Sequence, residues 1–326
     1  IKNLQSRHGL PIFAAKLNPF MPSPLNVQLT ASLHGHKAAI FGLCQGQSPR
    51  HILSAGGDGW IVQWDLAQPD PGKLLARVGT QLFSVCQLSK QPVIVAGDIN
   101  GKLYWLDLED KDRNKEMNHH KKGVFALRQI GDELLSVGGD GVLSRWNIDS
   151  QRPTESLQLS HQSLRCLAHH EEQQWLAVGS SDANIYLLDA KSLEIRRVIH
   201  QAHDNSVFCV AFSPDGQHLF SGSRDAHLKV WDLQHTQECI SSQAAHLLTI
   251  NSLAFHPEGH LFATASRDKH VKIWDASTLQ LRKVIEAVRD DGHVNSVNHL
   301  YWSSYKNSLI SCSDDRTVRI WQAEQP

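Results

Sequence analysis

Residues 202–233 read AHDNSVFCVAFSPDGQHLFSGSRDAHLKVWDL, and residues 245–276 read AHLLTINSLAFHPEGHLFATASRDKHVKIWDA. Set one over the other, 43 residues apart, they share an Ala-His opening, a first apolar run, a Pro- and Gly-containing turn, a Ser-Arg-Asp turn and a Trp-Asp close. A period of about 40–45 residues marks a unit of four strands that cannot bury its apolar faces alone and must stack on copies of itself. Ser206–Phe212 and Leu228–Trp231 are short, β-prone apolar runs, and Ser213–Gly216 (SPDG) carries Pro and Gly where a turn needs them.

The frame recurs along the chain. HILSAGGDGWIVQWDL ends at Leu66, ELLSVGGDGVLSRWNI at Ile148 and NSLISCSDDRTVRIWQ at Gln322. Weaker copies are PVIVAGDINGKLYWLDL, ending at Leu108, and WLAVGSSDANIYLLDA, ending at Ala190. The anchor aromatic falls at Trp64, Trp105, Trp146, Trp231, Trp274 and Trp321, with Leu188 in its place in the fourth copy, which makes seven units. The Gly-His or Ala-His dipeptide, the Ser-x-Ser-x-Asp turn and the terminal Trp-Asp resemble the WD40 repeat over nearly all of residues 27–322. The resemblance implies an all-β, seven-bladed propeller over residues 27–326, with repeats ending near 66, 108, 148, 190, 233, 276 and 322. The last Trp leaves no room for an outer strand, so residues 27–33 (VQLTASL) are expected to complete the last blade and close the ring. Residues 1–26 form an extension, read either as an arm packed on the propeller or as a segment that orders on a partner.

The same resemblance implies a hydrogen-bonded chain of His, Ser or Thr, Asp and Trp in each blade. Five sets match residue by residue: His36, Ser54, Asp58, Trp64; His120, Ser136, Asp140, Trp146; His203, Ser221, Asp225, Trp231; His246, Thr264, Asp268, Trp274; and His293, Ser311, Asp315, Trp321. Imidazole donates and accepts, carboxylate accepts, hydroxyl does both and indole N–H donates, so such a chain satisfies itself inside an apolar sheet. Five Ser-His-Asp groupings, each with a Trp, therefore read as architecture and not as hydrolytic triads. Blade 2 departs, with Val78 and Val95 in place of His and Ser and with Asp98 one residue early; blade 4 has Val178, Leu188 and a His161 shifted by one. These two are expected to rely on apolar packing.

Composition narrows the function. Lys and Arg total 32 against 33 Asp and Glu, a net charge of −1, which is not the basic balance of a nucleic-acid binder. No stretch approaches the roughly 20 apolar residues of a membrane span. Six scattered cysteines without a C-x-x-C pair suggest free thiols and a cytoplasmic, reducing compartment. No phosphate loop, metalloprotease or nucleophile-elbow motif is present, and no cofactor is implied. His34/His36, His119/His120 and His169/His170 have no Cys close in sequence, so no metal site is expected.

In the resembled family, the residue after the first apolar residue of each inner strand lies at the mouth of the central channel on the top face. Here those positions hold Phe41, Phe83, Phe125, Arg165, Phe208, Asn251 and Asn298. A second top-face set precedes the structural Asp and includes Gly57, Gly139, Ser181, Arg224, Arg267 and Asp314. Aromatic and Arg side chains concentrate at binding hot spots. The expectation is a non-catalytic scaffold, a monomer by default or else one subunit of a larger complex, that binds a protein or peptide partner bearing an apolar anchor and an acidic or phosphorylated neighbour. A propeller-face enzyme with an unrecognised site is the alternative.

Overall fold

The computed structural model describes residues 25–236 and 238–324. They form seven four-stranded antiparallel sheets, six of them built from consecutive strands. Blade 1 comprises Ile40–Gln45, His51–Gly56, Trp60–Asp65 and Gln68–Arg77. The seventh sheet is composite: Asn26–His34 pairs with the third strand, Thr317–Glu324, from Asn26↔Glu324 to His34↔Thr317. The closing strand thus runs slightly beyond the expected 27–33. Leu25, just before it, is buried, and the rest of the N-terminal extension, residues 1–24, lies outside the described residues. The repeat ends read from sequence coincide with the ends of third strands, and each blade's fourth strand belongs to the next sequence repeat.

Why the second strands read as unbroken apolar runs is clear from the packing. The buried hydrophobic residues fall into seven clusters, each filling one junction between neighbouring blades. Ile52 packs toward blade 7 and Leu53 toward blade 2, so both faces of that strand are covered. At about 25 cal/mol per Å² of apolar surface, each junction is worth several kcal/mol, and no blade is stable without its neighbours.

Blades 2 and 4 correct three readings. Trp105 is not the counterpart of Trp64. Leu106 pairs with Ile94 as Trp64 pairs with Ile52, so Trp105 sits one residue early, on the opposite face. There it packs beside Trp146 with its indole N–H unpartnered. Asp98 is two positions early, because Leu82↔Asp98 corresponds to Ile40↔Gly56. Nor do the two blades rely on apolar packing alone. In blade 4, Ser160 occupies the His place and donates to Asp182 (2.6 Å), which also accepts from Tyr186 (2.7 Å). In blade 2, Tyr104 donates to Asp98 at 3.3 Å. His161, beside Ser160, is exposed.

Candidate functional site at the channel mouth

The five four-residue chains are formed. His Nδ1 meets the turn Asp at 2.8–3.1 Å, and His Nε2 meets the hydroxyl at 2.7–2.8 Å. The Trp indole N–H donates to the same hydroxyl at 2.8–2.9 Å. Blade 3 keeps this geometry although its His–Ser spacing is 16 residues where the others have 18. Its first two strands are joined by the tight Gly131–Asp132 turn, Gly131 taking a φ of +56°. Burial alone would raise the carboxyl of Asp225, but hydrogen bonds from His203 and the backbone N–H groups of His227 and Asp204 hold it well below the usual range. Burial also keeps His203, His246 and His293 neutral-leaning against the pull of their Asp partners. The hydroxyls are fully buried and accept from Trp, so none can reach a substrate.

These chains also orient the top face. The residue after each His donates its backbone N–H to the Asp: Lys37, Lys121, Asp204, Leu247 and Val294. All five are exposed, and Leu247 and Val294, with neighbouring Leu248, place apolar side chains on the rim of blades 6 and 7. Sequence reading passed over them because a single apolar residue in a loop carries no periodic signal.

Inside this rim lies the channel mouth. Every inner strand slips register by one residue at the same point, so Ile40↔Gly56 is followed by Gly42↔Ala55. The skipped residues are Phe41, Phe83, Phe125, Arg165, Phe208, Asn251 and Asn298. A β-bulge bends the strand and re-aims the extra side chain. All seven line one central cavity of about 1070 Å³. The four Phe rings are half-buried. Phe41 meets Phe83 edge-on at 5.1 Å, and Phe83 stacks on Phe125 at 5.4 Å. The Arg165 guanidinium lies 4.5 Å from the Phe125 ring and 5.2 Å from Phe208, and its Nε donates to Ser181 (2.8 Å). Five residues from five blades therefore form one crescent. Gly57 and Gly139 leave it room: a Cβ at Gly139 would sit 3.0 Å from the Phe125 ring.

Asn251 and Asn298 serve the ring itself. Asn251 donates to Ser296 Oγ (3.1 Å) and the carbonyl of Val297 (2.9 Å), and Asn298 to the carbonyl of Ile40 (2.9 Å) and Asp314 (2.7 Å). Both use their amide hydrogens to stitch one blade to the next. Arg224 and Arg267 stand exposed on the turns of blades 5 and 6 without a side-chain partner among the described residues. Burial lowers the pKa of Arg165, and the charge of Arg224 lowers it further, so the two guanidiniums repel.

Of the histidine pairs, His119 bonds Ser144 (2.7 Å) and His170 bonds the carbonyl of Pro214 (3.3 Å). A grouping the pairs did not include is His256, Glu258 and His260, whose ligand-type atoms lie within 4.8 Å of one another. His256 Nδ1 already accepts the backbone N–H of Glu258 (3.1 Å), which puts the neutral ring's proton on Nε2 and leaves no lone pair for an ion. The grouping is a turn at the far end of the inner strand.

The family model for the WD domain, G-beta repeat, matches residues 27–65, 152–189, 195–232, 237–275 and 286–322, more than half of the chain. The chain belongs to the WD40 family. Its members are in general non-catalytic platforms for protein interaction. The WD40 propeller domain of Doa1 has the same fold, with a TM-score of 0.80 and 20% identity over 92% of this chain and 98% of that one. Shk1 kinase-binding protein 15 of Schizosaccharomyces pombe is 27% identical in an alignment covering 37% of this chain and 45% of that protein. The chain therefore spans less than half the length of that relative.

Proposed function

We propose that this WD40 propeller is an interaction module that holds a protein or peptide partner at the top mouth of its channel, with no catalytic step of its own. The observation that carries the reading is the crescent Phe41–Phe83–Phe125–Arg165–Phe208, delivered to one opening by five bulges. Half-exposed rings offer apolar contact at low entropic cost, and Arg165, repelled by Arg224, favours an acidic or phosphorylated group beside the anchor. The S. pombe relative, named for binding a kinase, agrees with a partner-binding role.

The test is a peptide library pairing an aromatic or aliphatic anchor with Asp, Glu or phosphoserine, read by fluorescence polarisation. The selected sequences should bind at least 100-fold more weakly to the F41A/F125A/F208A variant, since hot-spot truncations cost more than about 1 kcal/mol each. Arg165→Gln should erase the preference for the acidic neighbour. A variant with unchanged thermal unfolding and unchanged affinity would move the site away from the mouth.

A further inference from the structure

The wall of the central cavity carries two arginines, Arg128 and Arg165, and not one Asp or Glu. Arg165 belongs to the mouth. Arg128 lies on the inner strand of blade 3, three residues below Phe125 and about 10 Å deeper at 3.3 Å per residue. It has no hydrogen-bond or ion-pair partner among the described residues, and its side chain is exposed to the water of the channel. The channel's water solvates this charge, but no carboxylate of the wall matches it, and a guanidinium so placed is free to pair with an incoming anion.

Among the described residues, the cavity wall supplies no such anion. The groups at the same level of the other inner strands are Cys44, Cys86, Ala168, Ala211, Ala254 and Tyr301. Burial pushes the Cys86 thiol up to about 11, the Cys44 thiol well above its ordinary value and the Tyr301 hydroxyl up to about 12, so all three stay uncharged. Residues 1–24 contain no Asp or Glu. The three alanines and two cysteines are small, so the level is hollow and only Arg128 and Tyr301 have long side chains there. One strand over, His169 has a buried Nε2 with no partner; burial lowers its pKa and the charge of Arg128 lowers it further, against an upward pull from Glu171, which lies outside the cavity wall. Two unanswered donors, a guanidinium and an imidazole, thus face a cavity without a negative group.

We infer that the lower channel is a binding site for a small phosphate-type oxyanion, held by Arg128 with His169 as its second donor. Guanidinium pairs with phosphate through two parallel N–H···O bonds, and the anion supplies the missing charge. At about 10 Å from the top mouth, Arg128 is beyond the reach of an acidic side chain on a partner seated there, which favours a diffusible ion or phosphomonoester. The inference is independent of the proposed partner site, because neither Arg128 nor His169 belongs to the crescent.

The experiment uses inorganic phosphate on the full chain, by calorimetry at constant ionic strength with chloride as the control anion. The expected result is saturable 1:1 binding of phosphate, at least tenfold weaker in Arg128→Gln and retained in F41A/F125A/F208A. On binding, the His169 imidazole should titrate at a higher pH by NMR, which a merely structural residue would not do. Glycerol phosphate binding as tightly as inorganic phosphate would make the ligand a phosphomonoester; discrimination against it would make it the free ion. Should Arg128→Gln fail to fold, wild-type crystals soaked in tungstate decide the matter through anomalous scattering beside Arg128. No saturable binding by the wild type, or tungstate density only elsewhere, overturns the inference.

Discussion

His299 lines the channel in blade 7 with one ring nitrogen, Nδ1, buried and unpartnered. Burial alone pulls its pKa from 6.5 to about 4. Burial likewise lowers His120, His203, His246 and His293. In each case the unfolded chain takes up a proton as pH falls through about 6.5, while the folded chain resists until its own lower pKa is reached. Stability is therefore full above pH 6.5 and declines below it. The turn aspartates add a second loss on the same side. Their folded pKa values are depressed, so their contribution is present above about pH 4 and disappears as pH falls through the folded value. For His299 alone the loss between pH 7.5 and 5 is about 1–2 kcal/mol, the lower figure allowing for water in the channel. Urea unfolding of wild type and His299→Gln at both pH values checks this. The variant should lose less stability on acidification by that amount; parallel pH profiles would mean His299 is not a folded-state neutral group.

At the scale of single blades, the turn carboxylate is satisfied in different ways, and sequence shows some of them better than others. Where His, Ser or Thr, Asp and Trp stand at fixed spacing, the chain of bonds is legible, because four unusual residue types must coincide. Blade 4 was not legible, because Ser160 for His and Tyr186 on the third strand are unremarkable alone and matter only once the register places both on Asp182. Trp105 misled for a related reason: a Trp one residue from its slot looks like the anchor, whereas a shift of one in a strand sends it to the other face. The channel-mouth positions could be listed by counting from the first apolar residue. What counting could not show is that a bulge exposes all seven, or that Asn251 and Asn298 tie blades together where the Phe residues meet the opening. Tyr186→Phe tests blade 4 directly. Removing the hydroxyl should cost about 1–2 kcal/mol and raise amide hydrogen exchange chiefly in residues 175–199. Unchanged exchange in that blade would show the Tyr–Asp bond to be incidental.

Over the whole ring, seven junctions of similar make hold the blades, but the two that flank blade 7 depend on chain segments from opposite ends. Leu33, 2% exposed, packs with Ile310, Val318 and Ile320 of blade 7 and with Ile40 and Trp64 of blade 1, and Thr30 donates to the carbonyl of Ile320 at 3.0 Å. The strand Asn26–His34 also covers the edge of Thr317–Glu324, whose backbone groups would otherwise be open to pairing with another chain. Loss of this strand takes away a sheet edge and part of a core together, whereas one substitution within a blade leaves the ring closed. Leu33→Ala should therefore cost about 2–4 kcal/mol while unfolding stays a single transition. A chain lacking residues 1–34 should instead unfold in more than one step, with blades 7 and 1 exchanging amide hydrogens first, and should self-associate through the bared strand. Calorimetry and light scattering separate these outcomes. A truncated chain that remained monomeric with one sharp transition would mean that the seven junctions alone hold the ring shut and that the closing strand is dispensable.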